Sequence, residues 1–381
     1  MTTIEDHLAP VLDALAPVLE VAARHAGDVD ERGRYPQEAV DALRGSGLLG
    51  LTLPEDVGGM GAGPEVFSRV TGRLAGACGS TAMIYLMHVA AAMPLAASPP
   101  SGLDVLKGMA GGELLGSLAF SEKGSRSHFW APVSQASVTP EGTRLTADKS
   151  WVTSAGHADI YVVSTRSVDA DTPTTADLYA VTADHGGYEV SAPWLGMGLR
   201  GNSSSPMRFD TAVDDTLRLG DSGAAFGTMM GVVLPWFNLG NASITLGLAR
   251  SALEAAVRHV SGARLEHLDT RLADLPTIRA RIGRAGTVLA AMEEYVWATA
   301  RKIAEPADDT MLYVLGARAA ANDAALDITE EAMRVCGGAA FSKHLPVERA
   351  FRDARAGHVM APTSDVLYDF YGKALCGMDL F

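Results

Sequence analysis

The chain has 381 residues, 48% of them hydrophobic and 20% charged, which is the composition of a globular protein with a large core. Its formal net charge is −14 and Lys and Arg do not cluster, so nucleic acid and anionic membranes are disfavoured as partners. Three cysteines without CxxC spacing indicate neither a disulfide framework nor a metal site.

The first region, residues 1–114, has apolar residues at helical spacing, as in Leu8, Leu12, Leu15 and Leu19. The first 20 residues contain acidic side chains and lack the basic and then apolar pattern of a secretory signal. No apolar run is expected to reach the length that spans a membrane. These features predict a helical domain in a cytoplasmic protein without a membrane segment.

The pattern changes twice along the rest of the chain. Residues 115–217 contain short alternating runs rich in Val, Thr and Tyr, which predict a compact β domain. Residues 218–381 return to long helical patterns, and Gly337 and Gly338 form a plausible helix stop. The sequence therefore predicts a multi-domain α+β protein with boundaries near residues 114 and 217.

A family resemblance depends on the last fifth of the chain. A glycine pair at 337–338 is followed by the segment ERAFRDAR at 348–355 and by the turn Pro362-Thr363. This order resembles the C-terminal signature of the acyl-CoA dehydrogenase superfamily. The resemblance implies an N-terminal helical domain, a central β-barrel domain and a C-terminal four-helix bundle. The charged residues of segment 348–355 are spaced three and four apart, and we interpret them as ion pairs on a helix surface.

The resemblance implies a flavin beside the β domain. Residues 118–122 resemble the family strand that meets the flavin pyrimidine edge, so Phe120 and Ser121 are predicted contacts. Segment 149–155 resembles the family motif in which a Trp covers the flavin ring and a Thr hydroxyl lies near flavin N5. Trp151 and Thr153 are therefore predicted flavin contacts. The implied cofactor is FAD, with FMN or an exchangeable reduced flavin as alternatives.

The resemblance also implies that a neighbouring subunit completes the flavin site. Arg264 matches the arginine that reaches the flavin phosphates of a second subunit, where a guanidinium fork suits a pyrophosphate. Arg334, Gly337 and Gly338 are the other predicted contacts with the outer half of the cofactor. Arg334 is alternatively a solvated helix residue. A homodimer or homotetramer is therefore expected.

The family carboxylate that removes the substrate α-proton is missing, because its position is occupied by Ala361. An alternative base found in some relatives is also absent, since its position is Phe237. The remaining candidates are His358, His88 and Asp365, although His88 is also readable as a core histidine and Asp365 as a helix N-cap. A small-molecule substrate is expected, with a CoA or carrier-protein thioester as one option. Six residues are predicted to contact it: Ser125, His128, Trp130, Trp236, Asn238 and Ala361.

Three functional hypotheses remain open from the sequence. The first is a flavin-dependent oxidoreductase that oxidises an acyl thioester or related substrate with a relocated base. The second is a reduced-flavin monooxygenase of the same fold, since an uncharged pocket edge at Ala361 leaves room for dioxygen and a bulkier substrate. The third is a flavin-binding relative that is redox-inactive or a lyase.

Overall fold

The computed structural model describes residues 4–140 and 142–380. Five helices come first. They are α1 (Ile4–Arg32), α2 (Gln37–Gly45), α3 (Pro64–Ala77), α4 (Gly79–Ala97) and α5 (Leu106–Ala110). Apolar residues of α1 at spacings of three and four, including Leu15, Val18, Ala22 and Ala26, are buried against the core.

Seven strands follow and form two sheets. They are β1 (Gly116–Ala119), β2 (Ser137–Thr139), β3 (Gly142–Val152), β4 (Ile160–Arg166), β5 (Ala176–Thr182), β6 (Tyr188–Val190) and β7 (Ser205–Val213). One sheet has the order β1-β4-β5 and the other β2-β3-β7-β6. Isolated bridges between Glu122 and Lys149 and between Gln135 and Arg166 join the two sheets, as in an open barrel.

The last part of the chain is helical apart from a short hairpin. Its elements are α6 (Ala225–Thr228), α7 (Leu234–Gly262), β8 (Arg264–Leu265), β9 (Thr270–Arg271), α8 (Pro276–Ala304), α9 (Thr310–Cys336), α10 (Gly338–Phe341), α11 (Val347–Val359) and α12 (Ser364–Leu375). Helices α7, α8 and α9 pack on one another, and α11 and α12 lie against α9. The predicted three-part α+β architecture is confirmed.

The expectation about apolar runs needs correction. Helix α4 and the helical stretch Ala225–Gly262 are long and apolar enough to cross a membrane by length and composition. In each, 83% of the most apolar window is buried inside the protein. Helix α4 is buried on nearly all faces because other elements surround it, so its composition is that of a core helix.

A π-helical turn, Met229–Val233, leads into α7. Pro235 is the second residue of α7, and a proline lacks the N–H that would bond to the carbonyl four residues earlier. The backbone before it adopts the wider turn, a feature that is frequent at functional sites. This turn carries Val233, and α7 carries Phe237, into the pocket described below.

Segment 348–355 connects distant parts of the fold. Arg352 pairs with Glu348 at 2.7 Å and with Asp30 of α1 at 2.6 Å, and it donates to the carbonyl of Met197 at 2.9 Å. Asp353 is not on the helix surface as the spacing suggested. It is buried, and its Oδ1 accepts a hydrogen bond from the Leu199 N–H at 2.7 Å.

Asp353 makes folding stability dependent on pH. Burial raises the pKa of its carboxyl to about 6, although the Leu199 N–H acts in the opposite direction. Between about pH 4 and pH 6 the folded protein therefore retains a proton that the unfolded chain has lost, so the contribution of Asp353 to stability falls as the pH rises. Asp353→Asn removes this pH-dependent contribution to stability and keeps a side-chain oxygen that can accept the hydrogen bond from the Leu199 N–H.

We expect the free energy of unfolding of Asp353→Asn, relative to wild type, to rise by up to about 3 kcal/mol from pH 4 to pH 7. Urea unfolding at several pH values would measure this difference. The exposed Asp308→Asn is the control and should show no such rise. A difference for Asp353→Asn that does not change with pH would contradict the prediction.

Candidate functional site

A pocket lies where the β domain meets α4, the start of α7 and the connector between α11 and α12. It is lined by Met87, Leu118, Phe120, Ser121, Phe129, Trp151, Val233, Phe237 and Ala361. Eight of these nine side chains lack a titratable group or a hydroxyl, and the ninth, Ser121, supplies a hydroxyl. Within the described part of the chain, no carboxylate or imidazole lines this pocket.

Trp151 lines the pocket, and this residue is 61% exposed to solvent. The register between β3 and β7 shifts between Lys149 and Val152, and such a bulge re-aims the side chains around it. The indole of Trp194 lies edge-on to Trp151 at 5.8 Å, and its Nε1 donates to the Leu199 carbonyl at 3.0 Å. The indole of Trp151 is thus in contact with Trp194 on one side and accessible to solvent on another.

Phe120 and Ser121 form the neighbouring wall, directly after β1. The Ser150 N–H donates to the Ser121 carbonyl at 2.8 Å, which ties this wall to the strand that carries Trp151. Phe120 stacks with Phe129 at a centroid distance of 6.0 Å. Three of the four predicted flavin contacts of the β domain, Phe120, Ser121 and Trp151, therefore meet at one pocket.

The fourth, Thr153, does not line the pocket. Its side chain is buried, and its hydroxyl and that of Ser204 are 2.9 Å apart. Its carbonyl accepts a hydrogen bond from the Ser117 hydroxyl at 2.6 Å. These contacts fix the backbone just beyond Trp151, and a direct contact of Thr153 with flavin stays a prediction.

A buried ion pair that sequence reasoning did not single out joins the segment after β1, which carries Phe120 and Ser121, to strand β3, which carries Trp151. Lys149 Nζ lies 2.6 Å from Glu122 Oε1, and both side chains are almost fully buried. Glu122 Oε2 also accepts from the N–H groups of Val133 at 2.6 Å and Ser134 at 2.8 Å. Burial disfavours the carboxylate, but Lys149 and these donors outweigh it, so the pKa of Glu122 lies below its usual value.

His88 is a core histidine and not a pocket base. The Gly116 N–H donates to Nδ1 at 3.0 Å, so the proton is on Nε2, which donates to the Leu49 carbonyl at 2.9 Å. Burial lowers the pKa of His88 to about 4, and the ring is neutral at pH 7. With both nitrogens occupied and no exposed surface, His88 cannot accept a proton from a substrate in the pocket.

The other two candidate bases also lie outside the pocket lining. His358 Nδ1 is 3.4 Å from Asp323 Oδ1 on α9, and the Tyr368 hydroxyl donates to the other oxygen of Asp323 at 2.6 Å. Asp365 is exposed in the first turn of α12, and Thr363 rather than Asp365 occupies the N-cap position.

Of the six predicted substrate contacts, Ala361 lines the pocket and the other five do not. The Ser125 hydroxyl bonds to the backbone of Glu122, and His128 is exposed beside the buried ring of Trp130. Trp236 packs on Phe67 at 5.4 Å.

Asn238 is buried between α7 and α9. Phe237, which the resemblance places at the position of an alternative base, also lines the pocket. The pocket residues that sequence reasoning did not single out are all apolar: Met87, Leu118, Phe129 and Val233. No local sequence signal separates them from ordinary core residues.

The residues predicted to hold the outer half of a flavin lie on the helical part, away from the pocket lining. Arg264 pairs with Asp269 within the β8–β9 hairpin, and Arg334 lies 3.6 Å from Glu331. Gly337 ends α9 with φ of 56°, and Gly338 begins α10. A Cβ at either glycine would meet nothing within 4 Å, so this surface is open to a ligand or a second subunit.

The chemistry of the pocket lining suits the planar ring of a flavin. An exposed, braced indole lies beside Phe120 and the Ser121 hydroxyl, which together offer a flat apolar face and one hydrogen-bonding group. A largely apolar pocket with few polar groups is also the usual form of a cofactor site.

Three family models match the chain. They are the acyl-CoA dehydrogenase N-terminal domain at residues 13–101, the middle domain at 117–212 and the C-terminal domain at 226–376. The chain is also 24% identical over 356 residues to a probable acyl-CoA dehydrogenase of Mycobacterium leprae, which covers 93% of this chain and 91% of that protein.

Solved structures show the same fold. Butyryl-CoA dehydrogenase from Megasphaera elsdenii matches with a TM-score of 0.87 at 23% identity and covers 96% of this chain and 98% of that one. The FAD complex of PigA matches with a TM-score of 0.89 at 16% identity and covers 99% of each chain.

Proposed function

The chain belongs to the acyl-CoA dehydrogenase superfamily, and we propose that it is a flavin-dependent oxidoreductase that oxygenates a small organic substrate with reduced flavin and dioxygen. FAD is the cofactor of this family. Phe120, Ser121 and Trp151 hold the flavin ring, and Thr153 supports the strand beside it. Arg264, Arg334, Gly337 and Gly338 hold the phosphate half from a neighbouring subunit.

The single observation that carries this proposal is the absence of a base from the pocket lining within the described residues. Removal of a substrate α-proton requires a group within hydrogen-bond reach of that proton. His88 is buried with both ring nitrogens hydrogen-bonded. His358 lies beside Asp323, and Asp365 is exposed to solvent, so neither lines the pocket. Oxygenation by reduced flavin needs no protein carboxylate at Ala361, so this pocket suits it better.

The proposed reaction balances without a protein base. Substrate R–H, dioxygen and reduced flavin give R–OH, water and oxidised flavin, so one oxygen atom enters a C–H bond and the other leaves as water. When bound, the flavin supplies the two electrons, which a separate flavin reductase replenishes. The apolar residues of the pocket exclude water from this chemistry, and Ser121 orients the reacting groups.

The test compares two reactions of the FAD-loaded protein. Anaerobic mixing with butanoyl-CoA should leave the flavin oxidised, whereas the chemically reduced protein should reoxidise rapidly in air at a rate that depends on oxygen concentration. Stopped-flow absorbance measures both. Fast bleaching by butanoyl-CoA would support dehydrogenation instead, and slow reoxidation without bleaching would support the redox-inactive alternative.

Dehydrogenation of an acyl thioester remains the second candidate. It is favoured by the similarity of the whole chain to a probable acyl-CoA dehydrogenase, and it requires a base that enters the pocket only when substrate is bound. Under either reaction we propose a cytoplasmic homodimer or homotetramer with domain boundaries near residues 114 and 217.

Trp151 provides a test of where the flavin lies. Trp151→Ala should weaken FAD binding about 2- to 13-fold, because an aromatic stacking contact contributes about 0.5–1.5 kcal/mol beyond its buried area. Fluorescence titration with FAD measures the change. Val138→Ala, which removes another apolar side chain from the exposed surface of the β domain, is the matched control. Equal affinities in both variants would place the flavin elsewhere.

A further inference from the structure

Arg318 of α9 is a buried cation that forms no ion pair with any carboxylate in the described part of the chain. Its side chain is among the largest that are fully buried. Nε donates to Asn241 Oδ1 at 3.1 Å, Nη1 to Asn238 Oδ1 at 2.8 Å and Nη2 to the Met360 carbonyl at 3.0 Å. All three acceptors are neutral, and no carboxylate of the described residues forms an ion pair with Arg318.

This cation lies directly behind the wall of the candidate pocket. The guanidinium carbon is 4.9 Å from the centroid of the Phe237 ring, and Met360 immediately precedes Ala361. Both Phe237 and Ala361 line the pocket. Asn238 is fixed in turn by its Nδ2, which donates to the Val314 carbonyl at 3.2 Å. The position of the charge is therefore set by α7, α9 and the connector before α12.

The charge persists at neutral pH. Burial lowers the pKa of Arg318 to about 9, which still leaves the guanidinium protonated at pH 7. An uncompensated buried charge is costly, and its field is weakly screened in a low-dielectric interior. It would be offset by a negative charge placed on the pocket side of Phe237.

We propose that Arg318 is a positioning residue whose fixed positive charge makes the pocket favour anions, namely the reduced flavin, which is an anion at neutral pH, and substrates that react through an ionised oxygen. The inference rests on the proposed flavin function. The guanidinium of Arg318 is bonded to Asn238 on the neighbouring helix and lies against the Phe237 ring, so it supplies a positive charge behind the pocket wall.

The test is the midpoint potential of bound FAD, measured by anaerobic spectroelectrochemistry. Arg318→Gln keeps hydrogen-bonding groups but removes the charge. It should lower the preference for reduced over oxidised flavin at least tenfold, which is about 30 mV for a two-electron couple. Arg318→Lys should retain most of the wild-type potential. Arg250→Gln, which removes a guanidinium paired with Glu293 in the bundle, is the control and should leave the potential unchanged.

Each result decides between the alternatives. A potential that Arg318→Gln does not change while FAD remains bound overturns the inference and leaves the proposed function intact. Failure of the wild-type protein to bind FAD overturns the proposed function itself. If Arg318→Gln does not fold, Arg318→Met carries the same expectation. Failure of both neutral variants to fold, when Arg318→Lys folds, would give Arg318 a purely structural role and overturn the inference.

Discussion

Lys149→Met should lower the free energy of unfolding by about 3–5 kcal/mol, the cost of leaving one member of a buried ion pair without its partner. Lys149 is the only cation paired with Glu122 in the described chain, and the carboxylate is buried. Because the pair joins the end of β1 to β3, the variant should also lose FAD affinity. Urea unfolding and FAD titration measure the two effects.

The same strand provides a matched control. Arg144 of β3 forms a 2.6 Å ion pair with Asp210, but both side chains are more than 40% exposed. Arg144→Met should cost no more than about 1 kcal/mol, because exposed ion pairs contribute little. Replacing both partners by apolar residues, Lys149→Met with Glu122→Leu, should recover part of the loss. Equal destabilisation by Lys149→Met and Arg144→Met would contradict this account.

The pair also predicts a direction for pH dependence. The pKa of Glu122 is lower in the folded protein than in the unfolded chain, so the stabilisation is present above the unfolded pKa. This stabilisation is lost as the pH falls through the pKa that Glu122 has in the folded protein. The stability difference between wild type and Glu122→Gln should therefore shrink in acid.

Ala361→Glu should raise the rate of anaerobic flavin reduction by butanoyl-CoA about 10²–10⁴-fold, the usual contribution of a positioned general base. Ala361 lines the pocket next to Phe237, so a carboxylate there would enter the space beside the proposed flavin. Stopped-flow absorbance at the flavin band measures the rate. Ala361→Gln has nearly the same shape without a basic oxygen and should stay as slow as wild type.

The outcome separates the two reactions. If wild type already bleaches as fast as Ala361→Glu, an unidentified residue performs the proton transfer and the oxygenase proposal loses its support. If Ala361→Glu binds FAD normally but remains unreactive, the thioester does not reach the pocket, which favours a different class of substrate.

The fold was predictable because its signals are local. Helical and alternating apolar periods, and the motifs at 149–155 and 348–355, lie within short segments of sequence. Trp151 could be proposed for the same reason. Its exposure depends on the bulge between Lys149 and Val152, for which the sequence has no evident signal.

The polar interior was not predictable, because its partners are distant along the chain. Glu122 and Lys149 are 27 residues apart, and Arg318 and Asn238 are 80 apart. His88 was a reasonable candidate base until Leu49 and Gly116 were seen to occupy both of its nitrogens. Chemical type identifies the residues that could act, whereas burial and hydrogen bonding decide which of them are free to do so.

Arg352 has a consequence for how a substrate enters. Its guanidinium bonds at once to the first helix, to its own helix and to the carbonyl of Met197 beside the β domain. Rotation of one part of the protein against another would break several charge-assisted bonds together. Any movement that admits a substrate therefore has to occur within one of these parts of the protein and not between them.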